Sequence, residues 1–579
     1  MSFLPGEKLR YAETHFKFKL PWSLLYKPWP EIIVDAPFQF VPGVEPMLWI
    51  VVRDANRFPT TLRTIDILLK RTVEGVHAAD ISIQKNLETE VCEQMQFIPV
   101  PLGEIPAGSY EVHCKLTVER NGETRTFQRW NLPRLKPKPL RFKVLNEFPP
   151  IAPGYVAGEM HCHTHYSADH VEYGATPEVL QLAGKAVGLD FVSCTDHAYD
   201  FAFTQDDYTK EADSPVPRFQ KLREEIATLP SKDENGKPLP FMLAGEEVSA
   251  GNSKGENVHV TVMAPEGYIP GLGDCGRYWL DNKPTRTIKQ VLQMTDAHCF
   301  AAHPFQQMGL LEKFIFRRGY WTPEDLQINK KSNEKRSIRG IQFWNGVRDE
   351  GFKLGREFWI NELGKENYLW PIGGNDAHGD LNGMTAVDLP LISLKHTRAH
   401  IFGNVRTVVK LDDNHTRRES RPTELGMTEP NGWDLSEAKV QRRETNDERG
   451  DAIEERQLSS RTCSGTRGFS DVLKEAFAGD NCYITDGPAL WWERDGKNLI
   501  FHARSNKEIG GGFRYIRIYG RQMLPNGKPA PTEEIQLGSL IATPDHADIP
   551  IVTSGYAYFR AECETATGKF ALTSAARIQ

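Results

Sequence analysis

The stretch from Gly158 to His170 (Gly-Glu-Met-His-Cys-His-Thr-His-Tyr-Ser-Ala-Asp-His) constrains this chain more than any other. It places four histidines and two carboxylates within thirteen residues. The apolar lead Gly154-Tyr155-Val156-Ala157 reads as a strand running into it. Residues i and i+2 of a strand face the same side, so His161 and His163 can meet one cation. The plain alternative is a histidine cluster on the surface. The rest of the sequence separates the two readings.

The pattern recurs along the chain. Gly188 to His197 is an apolar run ending in Thr195-Asp196-His197, and Met242 to Ser249 ends in Gly245-Glu246-Glu247-Val248-Ser249. His259 sits inside Val258-His259-Val260-Thr261-Val262. Cys299 to Ala302 leads into His303-Pro304, and Trp370 to Asn375 leads into Asp376-Ala377-His378. Counting the first, six segments each bring a ligand-type residue to or near a strand end. Helical patterns lie between several of them. Thr176-Pro177 starts one well, as a cap followed by proline at the first helical position, and Gly188 suits its end. Ile288, Val291, Leu292 and Thr295 have the spacing of one helical face.

Taken together, His161-x-His163 with Ser167, Thr195-Asp196-His197, Gly245-x-Glu247, His259, His303-Pro304 and Asp376-x-His378 resemble the PHP (polymerase and histidinol phosphatase) family. The nearest resemblance is to its CehA/McbA-like metallohydrolases, over roughly residues 155 to 380. That resemblance implies an α/β fold, a distorted (β/α)7 barrel with two or three divalent metals at the strand C-termini. It implies that His161, His163, Glu247 and Asp376 hold one metal. Glu247 would bridge to a second metal, held also by His259 and His303. A third would use His197, His378 and a residue of the first motif. Where many relatives carry Ser-Asp-Gly this chain has Ser167-Ala168-Asp169, so Asp169 is the candidate there, shifted by one. Mixed imidazole and carboxylate donors suit Zn, Mn or Fe and argue against an all-oxygen magnesium site. Glu247, His197 and His378 are the candidate catalytic residues, with Glu246 competing for the bridging role. Asp196 is expected to orient His197 by a hydrogen bond. His165 and His170 are read as outer or solvent-facing, and His298, His15, His113 and His546 as structural.

At 579 residues the chain is too long for one ordinary core, and about three or four domains is the prior. Residues 1–150 read as an N-terminal β-sandwich-like domain, with strands near Met47 to Val52, Thr64 to Leu69 and Tyr110 to Val118 and a hairpin turn at Asn121-Gly122. Pro-rich pieces at 132–139 and 148–153 mark the boundary with the metal-binding domain at 151–490. A charged insertion without apolar periodicity spans 412–466, and a C-terminal β domain is expected over 491–579. The net charge of −7 gives no basic excess for nucleic acid or an anionic membrane, and no apolar run reaches the ~18–20 residues of a membrane span. The expected partner is a small-molecule substrate. Nine cysteines without a Cys-x-x-Cys, and an N-terminal stretch without an apolar leader segment, fit a cytoplasmic protein. The leading functional expectation is a metal-dependent phosphoesterase using a metal-bridging hydroxide. Amide, carbamate or ester hydrolysis is the second reading, and a non-catalytic metal-bound scaffold the third.

Overall fold

The structure is a computed structural model that describes residues 29–131, 136–167, 174–204, 211–275, 282–309, 313–314, 316–328, 336–379, 381–388, 393–411, 469–530 and 533–578. The expected insertion at 412–466 lies outside these residues, as do Asp169, His170 and His15.

The N-terminal segment forms two sheets around one apolar cluster. Met47–Arg53 pairs antiparallel with Glu31–Asp35 on one side and Met95–Pro101 on the other. The second sheet centres on Thr60–Val73 and Gly108–Arg120. Ile32, Ile50, Leu62, Ile65, Val112 and Leu116 bury their side chains in the shared cluster. Asn121 and Gly122 both take positive φ (51° and 76°) and close the expected hairpin to Glu123–Gln128.

The central sheet contains 15 strands. Trp370–Gly374, Ile338–Asn345, His298–Ala302, Asn257–Met263, Phe241–Gly251, Phe191–His197 and Tyr155–His163 lie side by side in that order. The sheet then continues through Arg406–Lys410, Cys482–Thr485 and Phe570–Thr573 into Tyr556–Thr565, Phe513–Gln522 and Ile535–Thr543. It is buried along Tyr155–His163, Phe191–His197 and Asn257–Met263.

This architecture corrects the expected α/β fold with a (β/α)7 barrel. Such a barrel repeats parallel strands, each followed by a helix. Here Phe241–Gly251 turns through 252–256 directly into the antiparallel Asn257–Met263, which is antiparallel to His298–Ala302 as well. Tyr155–His163 pairs antiparallel with Arg406–Lys410, so the sheet runs on into the C-terminal strands. Among the described residues strands far outnumber helices, and the result is a predominantly β protein with one mixed sheet. The sequence misled because two well-signalled helices suggested a repeat. Pro177–Val187 forms with Thr176 accepting from the Val179 amide and Gly188 ending it at φ 82°. Ile288–Gln293 forms with a Thr287 cap. No described helix separates Phe241–Gly251 from Asn257–Met263.

The ligand-bearing strand depends on a close approach at Gly158. A Cβ there would fall 2.2 Å from the Phe191 ring on the neighbouring strand. That ring is fully buried and packed against Phe477, so it has nowhere to retreat. Gly158→Ala is expected to cost about 1–3 kcal/mol, as overpacking of a filled core does. Chemical denaturation checks this, and an unchanged midpoint would show that the strand pair can spread.

Beyond residue 489, Ala489–Asp495, Asn498–Arg504 and His546–Val552 form a small antiparallel sheet. It shares an apolar cluster with Phe513–Gln522 and Tyr556–Thr565. Arg560, within Tyr556–Thr565, is buried, its Nε donating to Glu534 Oε1 at 2.8 Å and its Nη1 donating to Glu562. No described helix is long and apolar enough to cross a membrane.

Candidate metal centre

Strand ends bring the predicted ligands together. His161 and His163 close Tyr155–His163 on one face. His197 closes Phe191–His197 in direct register with Glu247 on the next strand. His259 lies one strand further, opposite Ser249. His303 and Asp376 follow their strands with positive φ of 24° and 51°. Non-glycine residues seldom occupy that region, and such strain gathers at functional sites. Gly374 lets the last strand pass close to the first, since a Cβ there would fall 2.9 Å from His161 Cβ.

Glu247 is the hub. Its Oε1 lies 2.8 Å from His259 Nδ1 and 2.9 Å from His303 Nε2. Its Oε2 lies 3.0 Å from His197 Nδ1, 3.2 Å from His161 Nε2 and 3.4 Å from His163 Nε2. Five imidazoles thus converge on one buried carboxylate, yet Oε2 accepts no hydrogen bond. Asp376 Oδ1 completes the first group at 3.2 Å from His163 Nε2 and 3.5 Å from His161 Nε2. The two imidazole nitrogens are themselves 3.2 Å apart. Donors about 2.0–2.2 Å from a tetrahedral cation sit roughly 3.3–3.5 Å from one another, so the spacing fits a metal.

Three donor groups result: His161, His163, Glu247 and Asp376; His197, Glu247 and His259; and His163, His197 and His378. The first is the expected set. The second takes His197 with His259, and His303 approaches the same Glu247 oxygen as His259. Of the predicted ligands only Asp169 lies outside the described residues.

Outer contacts fix the tautomers. His161 Nδ1 donates to Gln342 Oε1 at 2.7 Å, which aims Nε2 inward. His163 Nδ1 donates to Ser167 Oγ at 3.0 Å, and Ser167 donates to Asp196 at 2.8 Å. His378 Nδ1 donates to the Asp376 carbonyl at 2.9 Å. His259 Nε2 donates to Asp274 Oδ2 at 2.9 Å, which turns Nδ1 toward Glu247. Asp274 is held in turn by Arg318 Nε at 2.6 Å and by the Ser249 hydroxyl.

Asp196 departs from expectation. It accepts from the Thr164 amide at 2.7 Å and the Thr164 hydroxyl at 2.8 Å, and reaches His163 through Ser167 instead of orienting His197 directly. Glu246 points away from the centre and accepts from the Ile269 amide at 2.9 Å. Burial pushes its carboxyl well above the usual range. His165 pairs with Glu225 and His298 with the Lys474 carbonyl, both as outer residues. His113, His502 and His546 pair with Glu111, Asp548 and Asp545 on the flanking strands.

The electrostatics favour cations. Burial opposes charge on His161, yet Glu247 and Asp376 outweigh it and raise its pKa to about 9. His259 is driven up to about 10 against burial by Glu247 and Asp274. Burial and then the neighbouring His378 and His197 keep His163 well below its ordinary value, hence neutral with its lone pair available. Despite burial, the surrounding imidazoles hold Glu247 well below the carboxylate range.

Asp274, Gln342 and Arg318 join the site without belonging to any of the six sequence segments. Gln342 had a signal, a polar side chain in the apolar run of Ile338–Asn345. Asp274 follows Gly271-Leu272-Gly273, with no strand pattern to flag it. Asp274→Asn is expected to weaken metal affinity about 10–100-fold, the usual cost of losing such a histidine partner. Competition against a metal-sensitive chelator measures it, and unchanged affinity would remove Asp274 from the site.

No protein-family model matches the chain, and no curated protein matches it. Among solved structures it is similar to a β-D-mannosidase from Dictyoglomus thermophilum, at 8% identity and TM-score 0.20, covering 95% of this chain and 66% of that one. It is also similar to a β-glucuronidase from Bacteroides uniformis, at 10% identity and TM-score 0.17, covering 95% and 61%. A β-glucuronidase from Parabacteroides merdae gives 8% identity and TM-score 0.18, covering 94% and 77%. The chain thus spans less than two thirds of the first two proteins, and likeness at this level carries no argument about fold or activity.

Proposed function

We propose that this protein is a metal-dependent hydrolase acting on a small phosphoester. The observation that carries the reading is the first donor group, where His161 Nε2, His163 Nε2, Glu247 Oε2 and Asp376 Oδ1 are spaced as tetrahedral ligands. The resemblance of the ordered motifs to PHP metallohydrolases supports it.

His161, His163, Glu247 and Asp376 would hold one divalent cation of the zinc, manganese or iron class, and Glu247, His197, His259 and His303 a second. When bound, such a pair lowers the pKa of a shared water and neutralises a phosphoryl oxygen. Glu247 would be shared by both groups, its Oε2 facing His161, His163 and His197 and its Oε1 facing His259 and His303. The third group contains only imidazoles and shares His163 with the first, which makes it the weakest cation site. His378 is therefore the proton donor to the leaving group, from Nε2, with its Nδ1 tied to the Asp376 carbonyl. Charge favours a phosphoester over a neutral amide or carbamate. Two dications against Glu247 and Asp376 leave two positive charges in a buried site, while Arg318 offsets Asp274.

Metal analysis of the purified protein, with p-nitrophenyl phosphate, bis-p-nitrophenyl phosphate, p-nitrophenyl acetate and an aryl carbamate as substrates, tests the proposal. Phosphoester hydrolysis should dominate, vanish on chelation and return with metal. Faster acetate or carbamate cleavage would favour the second chemistry. A metal-loaded but inert protein would leave only a scaffold.

A further inference from the structure

At the opposite end of the ligand-bearing strand, a cleft of about 450 Å³ opens where the N-terminal sheets, the central sheet and the C-terminal strands meet. Ala157 borders it, four residues before His161, or roughly 13 Å along the strand. The volume falls within the range of small-molecule sites. Phe38, Phe142, Ile151 and Ile509 give it an apolar wall.

Its charge is unbalanced. Arg141, Lys143, Arg398, Arg406 and Lys569 line it against Glu111, Asp486 and Glu508. Each carboxylate is engaged. Glu111 accepts from Arg141 at 2.9 Å, Asp486 from the Phe570 amide at 2.6 Å, and Glu508 from the Asn146 amide at 2.9 Å. Lys569 stands 3.7 Å from Asp486. Among the described residues no hydrogen bond or ion pair ties Lys143 to a carboxylate, and Asp35 is the acidic neighbour of Arg398. Partial burial lowers the Arg398 pKa, with Asp35 opposing and Arg129 and Arg141 adding to the shift. Arg141, Lys143 and Arg398 are exposed at the cleft, where an anion can reach them without displacing a buried partner.

We infer that this cleft is a second ligand site, separate from the metal centre, for a small phosphomonoester carried on an apolar body. Arg406 is held by the Gly403 and Val187 carbonyls, which leaves Arg141, Lys143, Arg398 and Lys569 to meet a dianion, and guanidinium groups suit phosphate oxygens in paired geometry. The apolar wall takes the body of the ligand.

Phenyl phosphate is the probe, titrated calorimetrically into full-length protein stripped of metal by chelation. One site should bind it, and phenol should not bind. Lys143→Ser with Arg398→Ser should weaken binding about tenfold or more, since each charge-assisted contact is worth about that factor. His303→Ala at the metal centre should leave binding unchanged. Lys143→Arg should retain it, which separates charge loss from misfolding, and thermal midpoints of all variants accompany the titrations. Absence of binding, binding untouched by the double variant, or binding lost with His303→Ala would overturn the inference.

Discussion

Glu247→Gln is expected to strip the protein of metal and abolish nearly all hydrolysis, with the loss in kcat. Glutamine keeps the size but not the charge, and Glu247 alone offers oxygens to both sides of the centre. A neutral amide cannot offset two dications, and its NH2 would face imidazole nitrogens. The expected fall is at least about 10²–10³-fold, the scale seen when one electrostatic contact is removed from an enclosed site. KM should move little, because on the proposed mechanism a metal-held hydroxide would act in the chemical step. Glu246→Gln is the control. Its carboxyl faces the Ile269 amide on the other side of the strand, so metal content and kcat should stay near wild type. Steady-state kinetics with metal content on the same samples decides. A metal-replete Glu247→Gln protein with near-normal kcat would end its bridging role.

Arg560→Met is expected to destabilise the fold by about 3–5 kcal/mol, the cost of leaving buried charge uncompensated. Arg560 is 1% exposed and stands between Glu534 and Glu562. Arg356 also reaches Glu562, with Nε at 2.7 Å, whereas among the described residues Glu534 keeps only the Tyr558 hydroxyl, at 2.9 Å, and no cation. The effect should depend on pH in a defined direction. Burial works to raise the Glu562 pKa, but Arg560 and Arg356 outweigh it and hold it below 4.5. A depressed folded pKa stabilises above the unfolded value and is lost as pH falls through the folded one. Wild type should therefore lose this contribution below about pH 4.5, while Arg560→Met loses less of it. Denaturant melts at neutral and acidic pH measure both parts. A loss under about 1 kcal/mol at neutral pH would mean that water reaches the cluster.

The centre was far more legible than the fold around it. A ligand needs only its residue type and a strand end, and both are local properties. His161-x-His163 and Asp376-x-His378 therefore announced themselves, and Gly245-x-Glu247 separated Glu247 from Glu246. Strand direction is not local. Nothing in Asn257 to Met263 tells whether that strand runs with or against its neighbours, and the antiparallel hairpin it forms broke the expected repeat. The partners of the ligands were hidden for a similar reason. Asp274 acts from a loop 15 residues beyond His259, and Gln342 lies 181 residues beyond His161, so only the folded chain brings them into place. The helices were read correctly where caps marked them, at Thr176 and Gly188, because capping is decided within a few residues.

Phe570–Thr573 lies inside the central sheet, between Cys482–Thr485 and Tyr556–Thr565. Cys482–Thr485 pairs in turn with Arg406–Lys410, the neighbour of the strand that carries His161 and His163. The ribosome therefore supplies an inner strand only after residue 573 has been synthesised. Until then Cys482–Thr485 presents an open edge, and such edges recruit other chains. Nascent chains stalled before Phe570 should engage chaperones and resist metal loading, whereas chains released beyond Thr573 should load. Stalled-ribosome pulldowns would detect the difference, and equal loading on both would mean that the ligand strands assemble without their late neighbour.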